Sequence, residues 1–156
     1  MKNIHKVLVV CTGNSCRSIM AEAYMRKRFS EEGLDIEVSS AGTLGMGGMI
    51  PTEEALKILE INNVPAEGLE SKPIDEEVAR EADIVLVMEP AHKTRMREII
   101  PEEEGKVFYL GQFDPEGGDI LIPDPIGRSL AFYRASFRKI KRSVEGFIEW
   151  IKTPDK

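Results

Sequence analysis

Residues 7–18 read Val-Leu-Val-Val-Cys-Thr-Gly-Asn-Ser-Cys-Arg-Ser, and this stretch determines how the rest of the chain is interpreted. The run from Val7 to Val10 is apolar and rich in β-branched residues, which is typical of a strand buried on both faces. A short loop of small residues leads from Cys11 to Arg17, and a helical pattern follows directly. A strand, a tight loop and a helix N-terminus in this order predict an anion site, because loop amides and the helix dipole favour negative charge.

Cys11 and Arg17 give this predicted anion site a chemistry. A helix N-terminus and a neighbouring arginine both stabilise a thiolate, so Cys11 is a candidate nucleophile. The planar guanidinium of Arg17 can bind two phosphate oxygens at once and can stabilise the charge that develops on them. The pattern therefore favours attack of sulfur on phosphorus over the simpler interpretation of Cys11 as a small buried residue.

The composition limits the classes of function. A chain of 156 residues with 42% hydrophobic and 31% charged residues is typical of one globular domain, here expected over residues 1–156. The formal charge of −6 argues against nucleic acid or an anionic membrane as a partner. The apolar runs are too short to span a membrane, and the first residues do not resemble a signal peptide, so we expect a cytoplasmic protein.

The cysteines and histidines do not predict a metal site. Cys11 and Cys16 are the two cysteines of the chain and lie in one loop, and the sequence does not offer the four ligands of a structural zinc. The two histidines, His5 and His92, have no spacing typical of metal ligands. His92 is expected to be a partly exposed helix residue. We expect neither a metal nor an organic cofactor.

The apolar runs predict an α/β fold. Strands are expected at 7–10, 36–40, 84–88 and 107–110, with helices between them. The helices are expected from Ser18 to Gly33, from Thr52, from Pro73, from Pro90 and over 129–151. Strands that alternate with helices predict a three-layer arrangement, in which a parallel sheet is covered by helices on both faces. Such sheets bind ligands beyond the carboxyl ends of their strands, where the Cys11 loop lies.

The Cys-x5-Arg spacing, written here as Cys-Thr-Gly-Asn-Ser-Cys-Arg-Ser after a hydrophobic strand, resembles the signature of the low-molecular-weight protein tyrosine phosphatases. The resemblance covers nearly the whole chain. It implies a central sheet of four parallel strands and a phosphocysteine intermediate on Cys11. It also implies that phosphorylated substrate, phosphate and vanadate are bound by Arg17 and by the residues around it, namely Thr12, Gly13, Asn14, Ser15, Cys16 and Ser18.

The general acid of this family is an aspartate in an Asp-Pro pair within a late loop. The chain has two such pairs, Asp114-Pro115 and Asp124-Pro125, and the residues alone do not choose between them. The resemblance chooses Asp124, because residues 122–127 (Ile-Pro-Asp-Pro-Ile-Gly) are similar to the acid motif of the family. Asp124 is therefore expected to act first as the acid and then as the base that activates water. Asp114 is expected to be a turn residue.

Other residues near the loop have expected supporting roles. Gly13 and Asn14 tolerate the left-handed backbone that a loop around a tetrahedral anion requires. Ser18 is expected to form a hydrogen bond with the Cys11 sulfur, to cap the following helix, or both. The resemblance implies that Asn14 and Ser40 hold the loop by hydrogen bonds.

Two further positions carry weaker expectations. The resemblance implies that Cys16 can form a reversible disulfide with Cys11, and a packed thiol is the alternative. Glu89 lies where many family members carry aspartate, and the simpler interpretation is a carboxylate at a helix start.

Two phosphorylated groups are compatible with this loop. The expected pocket walls, Leu44, Met46 and Ile126, offer no aromatic ring to stack on phosphotyrosine. Tyrosine phosphatases of the family usually carry Ile at the position of Ser15 and Tyr after the Asp-Pro pair. Its arginine phosphatases are similar to this chain in having an Asp-Pro-x-Gly loop, but carry Thr in place of Ser15. We expect a monomeric protein tyrosine phosphatase, with a protein arginine phosphatase as the alternative.

Two other functions use the same loop. An arsenate reductase needs further cysteines to relay electrons, and none follows Cys16. A phosphopeptide-binding module without catalysis would need Arg17 and the loop, but neither Cys11 nor Asp124. Since both are present, the sequence favours catalysis.

Overall fold

A computed structural model describes residues 1–44 and 47–154. Its strands are β1 (Lys6–Cys11), β2 (Glu37–Gly42), β3 (Ile84–Val87) and β4 (Val107–Tyr109). Its α-helices are α1 (Arg17–Glu31), α2 (Glu53–Ile61), α3 (Glu76–Glu81), α4 (Pro90–Ile99) and α5 (Leu130–Lys152). Two short 3₁₀ segments, Pro101–Lys106 and Leu110–Phe113, lie on either side of β4 and were not predicted.

The four strands form one parallel sheet with the order β2-β1-β3-β4. Strand β1 is central, and its residue Val7 pairs with Val38 of β2 on one side and with Ile84 of β3 on the other. The predicted α/β fold with a four-stranded parallel sheet is therefore confirmed. Because the strands are parallel, the carboxyl ends of β1, β2 and β3 meet at one edge, and Cys11 lies in the middle of it.

The helices cover the sheet on both faces. One face packs against α1, α2 and α5, and the other packs against α3 and α4. The apolar residues of α5 recur at helical spacing as predicted. Those buried in the core between the sheet and α1, α2 and α5 are Tyr133, Phe137, Ile140, Val144, Phe147, Ile148 and Ile151. Each large apolar side chain buried in this way contributes about 1.5–3 kcal/mol relative to exposure. The apolar cores on the two faces of the sheet fix the position of the sheet edge that carries Cys11.

The helix ends follow local sequence signals, and two of them differ from the prediction. Thr52 caps α2 by accepting a 3.2 Å hydrogen bond from the backbone N–H of Ala55, and Gly33 follows α1 with a φ of +68°. Helix α3 begins later than expected, at Glu76, because Asp75 caps it. Ser18 does not cap α1, since the helix already begins at Arg17. Within residues 1–44 and 47–154, no helix combines the length and apolar character needed to cross a membrane.

Candidate active site

The loop between β1 and α1 is held by a hydrogen-bonded network that begins at Cys11. The Cys11 Sγ lies 2.9 Å from the Ser18 Oγ, as predicted, and both side chains are buried. The Asn14 Nδ2 donates to the Ser18 Oγ over 2.7 Å and to the Ser40 Oγ over 2.9 Å. Because the Ser18 oxygen accepts a hydrogen bond from Asn14, its own hydroxyl proton is available for a hydrogen bond to the sulfur.

The Asn14 side chain makes three hydrogen bonds that shape the loop. Its Oδ1 accepts from the backbone N–H of Lys72 over 2.8 Å, and both N–H groups of its amide are donated. Asn14 has a φ of +51°, in the left-handed region, which Asn tolerates better than most residues. Gly13 was expected to share this conformation, but it does not have a positive φ. The turn of the loop therefore depends on Asn14.

Arg17 is buried beside the Cys11 loop and contacts two other loops. Its Nη1 donates to the backbone carbonyl of Ile122 over 3.0 Å and to the Oε2 of Glu89 over 3.2 Å. Its Nη2 lies 3.6 Å from the Oδ2 of Asp124. In the described part of the chain, its buried Nε has no hydrogen-bond partner. Arg17 thus presents an unused donor next to two carboxylates, and an anion could satisfy that donor.

Asp124, the expected general acid, lies beside Arg17 and is partly open to solvent. Its side chain is 38% exposed, and its Oδ1 accepts from the backbone N–H of Ile126 over 3.1 Å. The Cys16 Sγ lies 3.8 Å from the same oxygen. Burial, the nearby Cys11 and Asp124 raise the pKa of the Cys16 thiol to about 12. The thiol therefore keeps its proton and can donate a hydrogen bond to the carboxylate.

The segment that carries Asp124 is attached at two points before the aspartate. The backbone N–H of Ile122 donates to the carbonyl of Met88 over 3.1 Å, just beyond the end of β3. The Ser136 hydroxyl on α5 donates to the carbonyl of Pro123 over 3.0 Å. These two bonds and the bond from Arg17 hold the carboxylate at the sheet edge where Cys11 lies.

The second Asp-Pro pair has a different environment. The Asp114 side chain is fully buried and forms ion pairs with Lys139 and Arg142 on α5, each at 3.2 Å. Burial opposes its charged form, but Arg142, the backbone N–H of Glu116 and Lys139 outweigh this effect and hold the pKa of the carboxyl below its usual range. Asp114 does accept a turn hydrogen bond from Glu116, as predicted, and its ion pairs with α5 were not predicted.

His92 is buried, and the prediction of a partly exposed residue was wrong. His92 lies in the first turn of α4, and its Nε2 is 2.9 Å from the Thr12 Oγ1, so the buried ring connects this helix to the Cys11 loop. Burial and the charge of Arg17 lower the pKa of His92 to about 4, so that the ring is neutral at neutral pH. Across the residues that the structure describes, no group of three His, Cys, Asp or Glu side chains could hold a metal ion.

Together these contacts place a thiol, a guanidinium and a carboxylic acid at one sheet edge. The combination can provide a nucleophile, an anion binder and a proton donor. The model of the family described as low molecular weight phosphotyrosine protein phosphatase matches residues 6–156. The chain belongs to this family.

Relatives of this low-molecular-weight phosphatase include both tyrosine and arginine phosphatases. The low molecular weight protein-tyrosine-phosphatase Wzb of Escherichia coli K12 is 34% identical, over 89% of this chain and 90% of Wzb. The protein-arginine-phosphatase of Bacillus subtilis 168 is 31% identical, over 94% of this chain and 96% of its own length. A solved YwlE arginine phosphatase mutant with a phosphorylated active site serine has a TM-score of 0.87 and 28% identity, over 95% and 96% of the two chains.

The expected pocket walls of this low-molecular-weight phosphatase are exposed where they are described. Leu44 is 65% exposed and its backbone N–H donates to the carbonyl of Thr12 over 3.1 Å, while Ile126 is 53% exposed on the Asp124 side. Met46 lies outside the described residues. Ser15 is half-buried, and its carbonyl accepts from the backbone N–H of Thr52 over 3.0 Å. The two expected wall residues that the structure describes therefore carry apolar side chains without a ring.

Sequence reasoning missed several residues that support the loop. Glu22 is buried and accepts a hydrogen bond from the Ser40 hydroxyl, which extends the network from Cys11 to Arg26, the ion-pair partner of Glu22. A Cβ at Gly42 would lie 2.8 Å from the carbonyl oxygen of Thr12, so only glycine fits at the end of β2. A glycine at the end of a strand was the available signal for Gly42, whereas a charged residue in a helix gave none for Glu22.

Proposed function

We propose that this protein hydrolyses phosphotyrosine in protein substrates through a phosphocysteine intermediate. The observation that carries the proposal is the Cys11 sulfur, hydrogen-bonded to Ser18 at one side of a site that also contains Arg17 and Asp124. A buried hydroxyl that can donate to the sulfur favours the thiolate, which is the nucleophilic form.

The proposed reaction has two steps that share one phosphoryl group. The Cys11 thiolate attacks phosphorus, the bond between phosphorus and the tyrosine oxygen breaks, and Asp124 gives its proton to the leaving oxygen. Water then attacks the phosphocysteine while Asp124 takes a proton from it, and the sulfur leaves as thiolate. Arg17 and the loop amides, among them those of Thr12 to Cys16, bind the phosphoryl oxygens in both steps. Phosphate and vanadate are expected to compete for the same donors.

The family and its relatives support this proposal. Wzb is a tyrosine phosphatase, and the phosphorylated active site serine of the YwlE mutant is consistent with a covalent phosphoryl enzyme in a related site. A single domain over 1–156, a monomeric state and a cytoplasmic location remain predictions from the sequence.

A protein arginine phosphatase is the second candidate function. One relative with 31% identity has this activity, and the apolar walls Leu44 and Ile126 provide no ring to stack on phosphotyrosine. The reaction would be the same except that Asp124 protonates a nitrogen of the leaving group.

Phosphate release from matched phosphotyrosine and phosphoarginine peptides, measured at about pH 6, tests both candidates. We expect faster release from phosphotyrosine by the wild type and none above background by Cys11→Ser. Faster release from phosphoarginine would assign the protein to the second candidate. Release that survives in Cys11→Ser would contradict the cysteine mechanism itself, and binding of both peptides without any turnover would indicate a binding module.

A further inference from the structure

The neutral His92 ring has one defined tautomer because of its neighbours. The backbone N–H of Met88 donates to the His92 Nδ1 over 3.2 Å, so that this nitrogen carries a lone pair. The proton is therefore on the Nε2, which donates to the Thr12 Oγ1 over 2.9 Å. Since the residue is 1% exposed, both ring nitrogens are used within the protein.

The two partners of His92 belong to different halves of the site. Thr12 directly follows Cys11 in the loop between β1 and α1. Met88 lies just beyond the end of β3. Its carbonyl accepts a hydrogen bond from the backbone N–H of Ile122, which precedes Asp124. One imidazole therefore contacts the nucleophile loop on one side and, through Met88, the anchor of the acid segment on the other.

The charged groups near the ring do not compete for its two nitrogens. The Oε1 of Glu89 lies 3.5 Å from the Nε2 and the other oxygen of that carboxylate is bonded to Arg17, while the Thr12 hydroxyl is closer to the Nε2. Because the ring is buried and both of its nitrogens are occupied, His92 does not reach a substrate. Its effect has to pass through Thr12 and Met88.

We propose that His92 is a positioning residue that keeps the Cys11 loop and the Asp124 segment in register. This inference rests on the proposed phosphatase function. The bond to Thr12 restricts the rotation of the first peptide of the loop, whose amide is one of the expected phosphoryl donors. A loop that is fixed before the anion arrives binds it more tightly, because less conformational entropy is lost on binding.

The test is a double-mutant cycle between His92→Leu and Thr12→Val, read out by the inhibition constant of inorganic phosphate. Loss of one buried hydrogen bond is expected to weaken phosphate inhibition by about five- to tenfold in either single variant. The double variant is expected to be no weaker than the more affected single variant, since both substitutions remove the same bond. Additive effects, or an unchanged inhibition constant in both single variants, would overturn the proposal.

Two further variants separate positioning from a general loss of stability. His92→Gln keeps a side-chain N–H near the position of the Nε2 and is expected to recover part of the phosphate affinity. Asp114→Asn removes a buried ion pair distant from Thr12, so it is expected to lower the melting temperature and leave phosphate inhibition unchanged. If Asp114→Asn weakens phosphate inhibition as much as His92→Leu does, the role of His92 is only structural.

Ring nitrogen NMR tests the arrangement without any need for phosphatase activity. The chain has two histidines, so His5→Gln leaves His92 as the one ring signal. We expect the Nε2-protonated tautomer in the wild type and a shift of the N–H signal in Thr12→Val. A mixture of tautomers, or a signal that Thr12→Val does not change, would contradict the proposed contact even if the enzyme proved inactive on every peptide tested.

Discussion

The two Asp-Pro pairs share a dipeptide and have contrasting environments in the structure. Asp114 is fully buried between Lys139 and Arg142, and its carboxylate joins the segment after β4 to α5. Asp124 is 38% exposed, lies 3.6 Å from Arg17 and accepts from the Cys16 thiol. The first aspartate has two cationic partners that fix its charge. In the described part of the chain, Asp124 has one cationic partner, Arg17, at a longer distance, and its side chain is partly open to solvent.

The difference shows what an aspartate needs in order to transfer protons. A carboxylate enclosed by cations is stabilised in its charged form and cannot easily take a proton, which favours a structural role. A carboxylate that is open to solvent can exchange its proton with substrate and water. Partners supplied by distant elements, rather than the Asp-Pro dipeptide, therefore separate the two environments, and the proposed proton transfer depends on that of Asp124.

The largest expected effect is on activity and concerns Asp124. Asp124→Asn is expected to lower kcat on a phosphotyrosine peptide by about 10²–10⁴-fold, because the leaving oxygen no longer receives a proton. Asp114→Asn is expected to leave kcat essentially unchanged. The measurement is steady-state kinetics at a temperature where both variants are folded. A greater loss of kcat in Asp114→Asn would reverse the assignment of the two aspartates.

An aryl phosphate with an acidic leaving group sharpens this comparison. p-Nitrophenyl phosphate has a leaving group that needs less proton transfer, so Asp124→Asn is expected to lose less activity on it than on the peptide. An equal loss on both substrates would show that Asp124 acts by a route other than protonation.

The next effect is on stability and concerns Asp114. Asp114→Asn is expected to lower the free energy of unfolding by about 3 kcal/mol, because Lys139 then keeps a largely buried charge without its partner. Asp124→Asn is expected to change it much less. Urea unfolding of the two variants measures the difference. A loss in Asp114→Asn no larger than that in Asp124→Asn would show that the ion pairs contribute little.

The pH dependence of unfolding gives a second test of Asp114. Its pKa is lower in the folded than in the unfolded protein, so its contribution is complete above the unfolded value of about 4 and is lost as the pH falls below it. Wild type is therefore expected to lose more stability than Asp114→Asn between about pH 4 and pH 2. Parallel curves for the two proteins would contradict the ion-pair account.

The smallest expected effect concerns the bond that holds the Asp124 segment to α5. Ser136→Ala removes the donor to Pro123 and is expected to cost about 1 kcal/mol of stability and to lower kcat several-fold, with little change in KM. The control is Ser143→Ala on the same helix, because the Ser143 hydroxyl is buried and has no partner in the described part of the chain. Equal effects of the two substitutions would show that the bond to Pro123 does not position the acid.

Local patterns in the sequence predicted the parts of the fold that depend on neighbouring residues. The apolar run before Cys11, the Thr52 cap and the apolar spacing of α5 each act within a few residues, and all are present in the structure. The hydrogen bond between Ser18 and Cys11 could be expected from the motif of residues 11–18. The roles of Cys11, Arg17 and Asp124 in catalysis stay predictions until they are measured.

The rest could not be predicted because it depends on contacts between distant parts of the chain. His92 was expected to be a partly exposed helix residue, but its ring packs against a loop far away in the sequence. The ion pairs of Asp114 with Lys139 and Arg142 likewise join separate elements. A single sequence shows which residues can form such contacts, and it does not show which partners the fold brings to them.

The central position of β1 has a consequence for how the protein matures during synthesis. The strand that ends at Cys11 is synthesised before its partner β3, so its pairing with Ile84 waits for α1, β2, α2 and α3, and Ser136 on α5 holds Pro123 only later. Contacts between residues so far apart in sequence slow folding, since the intervening chain must be ordered before they form. A nascent chain that lacks α5 would therefore carry Cys11 without the bond that holds the Asp124 segment, and the complete arrangement of the proposed site would form only after α5 is synthesised.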